Sequence, residues 1–385
     1  MILKILKWLL ASLIVLLTTT SLGLLFTGNG YIFKAIRTIY LTGHNSAFLE
    51  DYNYFENRTI ESGTAQPWPQ TKDYNQIQST AKLDSIHQAN KTVAYLIIRN
   101  DSIFFEKYYN GFNEKSLSNS FSMAKSITSA LLGKALALGY IISLDEKVRK
   151  YLPELQGEFA DDLTIRDLVT MRSGLQWDER YYSPFSITTK AYFYNDLSKT
   201  MLELPISTQP NQQFKYQSGD TQLLGMVLAK ALPKTLSEFL SEQLWKPMGA
   251  EEDALWQISS KDGMEKTYCC IASNARDFAR FGKLYTHNGK WGDKQLLDSA
   301  YIQQSLQPAA GNSPVYGYGW WLTDYKDKRV FYMDGHLGQF VISIPEDQIM
   351  IVRLGHIQDG KDKKDPDGAF YQYIEQAYKM LTLEE

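Results

Sequence analysis

Apolar and polar positions divide the chain into two unlike parts. From Trp8 to Phe26 the residues are almost all apolar and none is charged, close to the roughly 20 residues that cross a bilayer. Lys4 and Lys7 precede this run, which sets the start of the chain in the cytoplasm and the rest outside. A cleaved signal peptide is the competing reading. The run is longer than a signal core and no A-x-A site follows. No cysteine lies near it, which excludes a lipoprotein. Residues 1–28 are expected to form an uncleaved anchor, with the remainder extracytoplasmic, in a bacterial periplasm. Residues 29–80, with Asn57-Arg58 and Pro67-Trp68-Pro69, read as a connecting segment that packs along one domain of residues 81–385.

Past residue 80 the period changes. Thr92 to Ile98 is apolar and β-branched, Asn100-Asp101 supplies a turn, and Ser102 to Glu106 resumes the strand pattern, so a hairpin is predicted. Ile127, Ala130, Leu131, Ala135 and Leu138 then recur at three- and four-residue steps, the stripe of a buried helix that Gly139 ends. Lys215 to Asp220 reads as a loop feeding another apolar helix at Thr221 to Gly225. Val330 to Pro345 gives two β segments around a glycine bend, and Phe370 to Met380 a last helix. The class is α/β in the α+β sense. An antiparallel sheet flanked by helices is built from residues before Ser122 and after about 310, and a mostly helical subdomain spans about 126–300.

The chemistry enters through Ser122 and Lys125, an S-x-x-K pair one helical turn apart on the same face. If the serine opens the helix, the positive end of the dipole favours an alkoxide-like oxygen and a neutral amine, and the lysine can act as its base. By that reading Lys125 is neutral at rest, and turnover rises to a plateau near or below pH 7. Alone the spacing is weak, because a capping serine on a solvated helix start looks the same. Tyr216 adds a proton shuttle if Lys125 lowers its pKa. The strand around the bend at Gly335 and Gly338 can lay a backbone N–H beside a carbonyl, completing an oxyanion hole with the N–H of Ser122. Singly, each has a plain reading as core aromatic or turn glycine. Together, in this order, they point to an enzyme.

Four stretches carry a family resemblance: Ser122-Met123-Ala124-Lys125-Ser126, Ile165 through Glu179, Tyr216-Gln217-Ser218-Gly219-Asp220, and Ser273 through Gly282. Gly335 to Pro345 fits as well. The chain resembles the serine β-lactamase and penicillin-binding-protein superfamily on its class C side, and within it the 6-aminohexanoate-dimer hydrolase branch. The resemblance implies a β-lactamase/transpeptidase-like fold and a serine hydrolase cleaving an amide or ester. It gives Ser122 the acyl-enzyme and Lys125 and Tyr216 the protons. Ser218 stands where class C enzymes usually carry asparagine. The K-T-G triad is absent. Its place falls either on His336-Leu337-Gly338 or on Met333-Asp334-Gly335, and the second is favoured, which makes the backbone N–H of His336 the second oxyanion donor. No lysine stands there in either case, which argues against an efficient β-lactamase. The branch also implies a substrate-binding tyrosine, Tyr181, with Tyr182 as the neighbouring candidate. A low-efficiency cell-wall peptidase and a catalytically idle sensor domain are the alternatives.

Composition narrows the partners. A net charge of −3 with no basic stripe makes nucleic acid an unexpected partner. The five histidines have no ligand spacing and no glycine loop cradles a phosphate, so neither metal nor cofactor is expected. The two cysteines, Cys269 and Cys270, are adjacent. They are expected as buried, unpaired small residues, since a bridge between neighbours closes a strained ring.

Overall fold

The computed structural model describes residues 1–309, 315–358, 365 and 368–382. Three antiparallel sheets organise them. A small one joins β1 (Asn57–Ile60), β5 (Ala254–Gln257), β6 (Ile271–Ser273) and β4 (Ser118–Asn119), in that order. The main one has six strands: β2 (Thr92–Arg99), β3 (Ser102–Tyr108), β9 (Trp321–Tyr325), β10 (Lys328–Gly335), β11 (Gln339–Ile344) and β12 (Ile349–Gly355), in the order β3-β2-β12-β11-β10-β9. A two-stranded ribbon, β7 (Lys290–Trp291) with β8 (Lys294–Gln295), lies apart.

The long apolar runs of β2 and β12 follow from burial on both faces. Leu96, Ile98, Met350 and Val352 face the large core shared with the helical part. Tyr95, Ile97, Ile349 and Ile351 face the C-terminal helix Ala369–Met380. The hairpin forms as its sequence predicts. Asn100 and Asp101 both take positive φ, +48° and +59°, the requirement of a type I′ turn that matches strand twist.

Of the helices, α1 (Ile2–Phe26) buries no residue and is the one described helix long and apolar enough to cross a membrane. Next come α2 (Tyr31–Thr38), α3 (Ala81–Ala89) and α4 (Ala124–Ala137). At the end of α4, Gly139 takes φ +74°, and the amides of Gly139 and Tyr140 reach back to Leu136 and Ala135, each at 3.0 Å. This Schellman closure places Leu138 at the C-cap, about half exposed. It therefore leaves the apolar stripe in which its spacing had put it.

Residues 29–80 do more than connect. Ile32, Ala35, Ile39, Phe48, Leu49, Phe55, Ile60 and Trp68 are all buried in the large core, and β1 pairs with β5 in register from Asn57↔Gln257 to Ile60↔Ala254. The segment is part of the domain because its apolar side chains complete the core and its backbone satisfies an otherwise bare sheet edge.

Candidate active site

Ser122 lies in a 3₁₀ turn, Phe121–Met123, that runs straight into α4, so it precedes the α-helix by two residues. The turn is held from both sides. The Phe121 amide donates to Asn119 Oδ1 (2.9 Å), the Ser120 amide to the Ile271 carbonyl (2.7 Å), and the Ile271 amide to Ser120 Oγ (3.0 Å). These bonds keep Phe121 at φ +44°, a conformation a bulky residue holds only when its surroundings impose it.

Lys125 follows one turn later and is buried. Its Nζ donates to Ser122 Oγ (2.8 Å), Ser218 Oγ (3.1 Å) and the Tyr268 carbonyl (3.0 Å). Three acceptors match the three donors of an ammonium. Burial lowers its pKa to about 8, against the pull of the Glu179 and Asp220 carboxylates, which favour the charged form. The expectation of a neutral amine below pH 7 is therefore corrected: at neutrality most of Lys125 still carries its proton.

Tyr216 is half-buried, and its ring centre lies 5.0 Å from Lys125 Nζ. Burial and neighbouring acidic groups raise its pKa well above the ordinary value. The lysine does not lower it, as the sequence reading required, so the phenol stays protonated. Ser218 opens the helix Ser218–Ala231. Its amide and hydroxyl both donate to Glu179, at 2.7 and 2.6 Å. Glu179 also receives the indole N–H of Trp177 and the Tyr181 hydroxyl (2.6 Å). This carboxylate was quoted within a motif but given no role. Its signal, an acid beside a helix N-terminus, appears only once residues 179 and 218 are known to meet.

His336 follows β10. Its ring stacks on Tyr181 (centroids 5.4 Å) and meets the edge of Phe121 (5.5 Å), with Tyr182 at 6.3 Å. Burial lowers its pKa to about 4, so the imidazole is neutral. At Gly335 an added Cβ would come 2.3 Å from the Ser120 carbonyl. Glycine is thus needed for β10 to approach the turn that carries Ser122, and this approach sets His336 beside it. Met333 is sealed in the core, whereas His336 lines the pocket.

The pocket holds about 70 Å³ and is lined by Ser122, Ser218, Tyr181, Tyr268, Cys269 and His336 among others, with no lysine or arginine among the described residues of its wall. Two larger clefts, about 830 and 940 Å³, include none of Ser122, Lys125 and Tyr216. No group of three metal-ligating side chains occurs among the described residues. Cys269 and Cys270 are buried as expected, but they are joined as a disulfide rather than unpaired. Cys270 takes φ +78°, a backbone turn that an extended pair of neighbours does not make.

A hydroxyl in contact with an amine of depressed pKa, with a protonated phenol close by, can pass a proton while the hydroxyl attacks a carbonyl. Comparison with known proteins places the chain in a family. The chain is 22% identical over 290 residues to the 6-aminohexanoate-dimer hydrolase of Paenarthrobacter ureafaciens, covering 70% of this chain and 73% of the relative. Its fold is similar to that of a Bacillus anthracis protein provisionally named a 6-aminohexanoate-dimer hydrolase (TM-score 0.73, 21% identity, 88% of this chain and 94% of the other). It is also similar to that of a D-stereospecific amidohydrolase from Streptomyces sp. (TM-score 0.60, 14% identity, 78% and 98%). The Beta-lactamase family model matches residues 76–373, a span that takes in every residue placed around Ser122 except the wall from residues 46 and 47. The chain belongs to the β-lactamase family of serine hydrolases.

Proposed function

We propose that the protein is a membrane-anchored amidase or esterase that works through an acyl-enzyme on Ser122, with its catalytic domain outside the cytoplasm. The supporting observation is the 2.8 Å contact between Ser122 Oγ and a buried amine whose pKa is about 8. Neutral Lys125 takes the hydroxyl proton as Oγ attacks the carbonyl carbon. The developing oxyanion lies toward the backbone N–H groups of Ser122 and His336. Tyr216 gives its proton to the leaving amine or alcohol and recovers one from Lys125. Water, deprotonated by the same groups, then releases the acid and restores Ser122. Glu179 holds Ser218 and Tyr181 at the rim, where Ser218 also orients the lysine.

No lysine stands at Met333-Asp334-Gly335 or His336-Leu337-Gly338, which favours uncharged amides and esters over β-lactams, whose carboxylate would find no partner there. The name of the Paenarthrobacter relative points the same way, toward linear ω-amino-acid amides. Profiling the purified full-length protein against p-nitrophenyl esters, nitrocefin, D-amino-acid peptides and linear ω-amino-acid amides tests this reading. Turnover of esters or linear amides with fluorophosphonate labelling at Ser122 is the expected result. Labelling elsewhere would overturn it.

A further inference from the structure

The joint between anchor and domain is short and ordered. Gly28 takes φ +73°, and the amides of Gly28 and Asn29 bond the carbonyls of Leu25 (3.2 Å) and Leu24 (2.8 Å), a Schellman closure that ends α1 sharply. Four residues separate Phe26 from Tyr31, a reach of at most about 17 Å even fully extended. With α1 in a bilayer, α2 therefore sits at the membrane surface.

The outward face of α2 suits that place. Tyr31, Ile32, Ala35 and Thr38 turn inward, while Phe33 and Ile36, and Tyr40 and Leu41 in the 3₁₀ turn that follows α2, are exposed, Leu41 to 78%. Arg37 shares the outward face. Aromatic and aliphatic side chains with a basic residue are what the headgroup region accommodates. The Tyr31 hydroxyl donates to the Pro184 carbonyl (3.0 Å), which ties α2 to a loop whose Tyr182 and Phe185 are 67% and 66% exposed. This loop also carries Tyr181, and the strap after α2 carries Ser46 and Ala47; all three line the pocket with Ser122. So much exposed apolar surface in one place marks an interaction face, and its continuity with the membrane anchor identifies the occupant.

We propose that the domain rests on the bilayer through the outer face of α2 and the 182–185 loop, so that the pocket opens at headgroup level and takes amphiphilic amides or esters. The pocket, about 70 Å³, takes the small group at the scissile bond, and the long apolar part of the substrate stays along the membrane-facing rim. The proposal rests on α1 spanning a bilayer, and its substrate class on the Ser122 reading above.

The test uses the full-length protein in phosphatidylcholine–phosphatidylglycerol vesicles, spin-labelled at Phe33→Cys, Phe185→Cys or the control Ile142→Cys. Ile142 is 73% exposed and lies beyond the far end of α4, whose 14 residues carry the chain roughly 21 Å from Ser122. Labels at 33 and 185 should collide more with oxygen and less with a water-soluble nickel chelate than the label at 142. Equal accessibility at the three sites, or spin–spin broadening that shows a second copy on this face, would overturn the docking. In the same vesicles, Phe33→Asp with Phe185→Asp should lower kcat/KM for p-nitrophenyl laurate about tenfold and leave p-nitrophenyl acetate unchanged. An equal loss on both esters, or on neither, refutes the amphiphile preference. If the labels report the interface while the unsubstituted protein cleaves neither ester, docking stands and the hydrolase reading falls.

Discussion

Two lysines are buried among the described residues of this domain, and only one of them meets a pocket-lining hydroxyl. Lys125 donates to a carbonyl and to two hydroxyls, those of Ser122 and Ser218, which line the pocket. Lys266 is fully buried, donates to the Tyr192 carbonyl (2.7 Å) and Gln257 Oε1 (3.3 Å), and lies over the rings of Phe55 (3.8 Å) and Tyr192 (4.5 Å). Beside it, Asp51 is pushed up to about 6 by burial, although Tyr192, Asn119 and Gln257 all donate to it. Burial drives Lys266 well below its usual pKa. The comparison shows that a perturbed amine alone does not mark a catalytic site. A carbonyl, an amide and two ring faces give Lys266 nothing to activate, whereas Lys125 has Ser122.

The largest effect should come from the nucleophile. Ser122→Ala should cut kcat by at least about 10⁴-fold and abolish fluorophosphonate labelling. Labelling that survives would remove Ser122 from the mechanism, and with it the contrast between the lysines. Lys125→Arg should follow with a loss of about 10³-fold, because a guanidinium cannot serve as the base. Lys266→Met should behave oppositely. Its folded molecules should keep kcat within about threefold, while stability falls by about 2 kcal/mol in urea titration because the buried Tyr192 carbonyl and Gln257 Oε1 lose their donor. Reversed outcomes for the two lysines would break the comparison.

A pH profile sharpens it. Protonated Lys125 cannot accept a proton, so the rate should fall about tenfold per unit below a midpoint near 8. The Glu179 charge favours the protonated amine, so Glu179→Gln should move the midpoint to lower pH, and an unmoved midpoint would deny that coupling. The stability side has its own sign. Between about 8 and the ordinary lysine value the unfolded chain binds the proton that folded Lys125 has lost. The share of stability governed by Lys125 therefore rises with pH across that window. The smallest expected effect concerns the missing cation. Ester turnover should exceed nitrocefin turnover at least about tenfold in kcat/KM, and His336→Lys should narrow that gap by about tenfold. Because Met333 is sealed in the core, a lysine there would test stability rather than specificity. A wild-type preference for nitrocefin would end the specificity argument.

What the residues settle by themselves is local. The type I′ turn at Asn100-Asp101, the end of α4 at Gly139, the strands around the Gly335 bend and the one-turn spacing of Ser122 and Lys125 each depend on neighbours a few positions away. The distant pairings were not legible. The Glu179 contact with Ser218 crosses 39 positions, and the Gln257 contact with Asp51 crosses 206. The capture of residues 57–60 as a sheet edge belongs with them. The same holds for charge: Lys125 at about 8, Tyr216 held protonated and Lys266 silenced all depend on how much water the assembled fold excludes and which carboxylates it brings near. Backbone preference is set by adjacent residues and can be read from order alone. Solvation and Coulomb energy are set by three-dimensional distance, and only the folded chain fixes that.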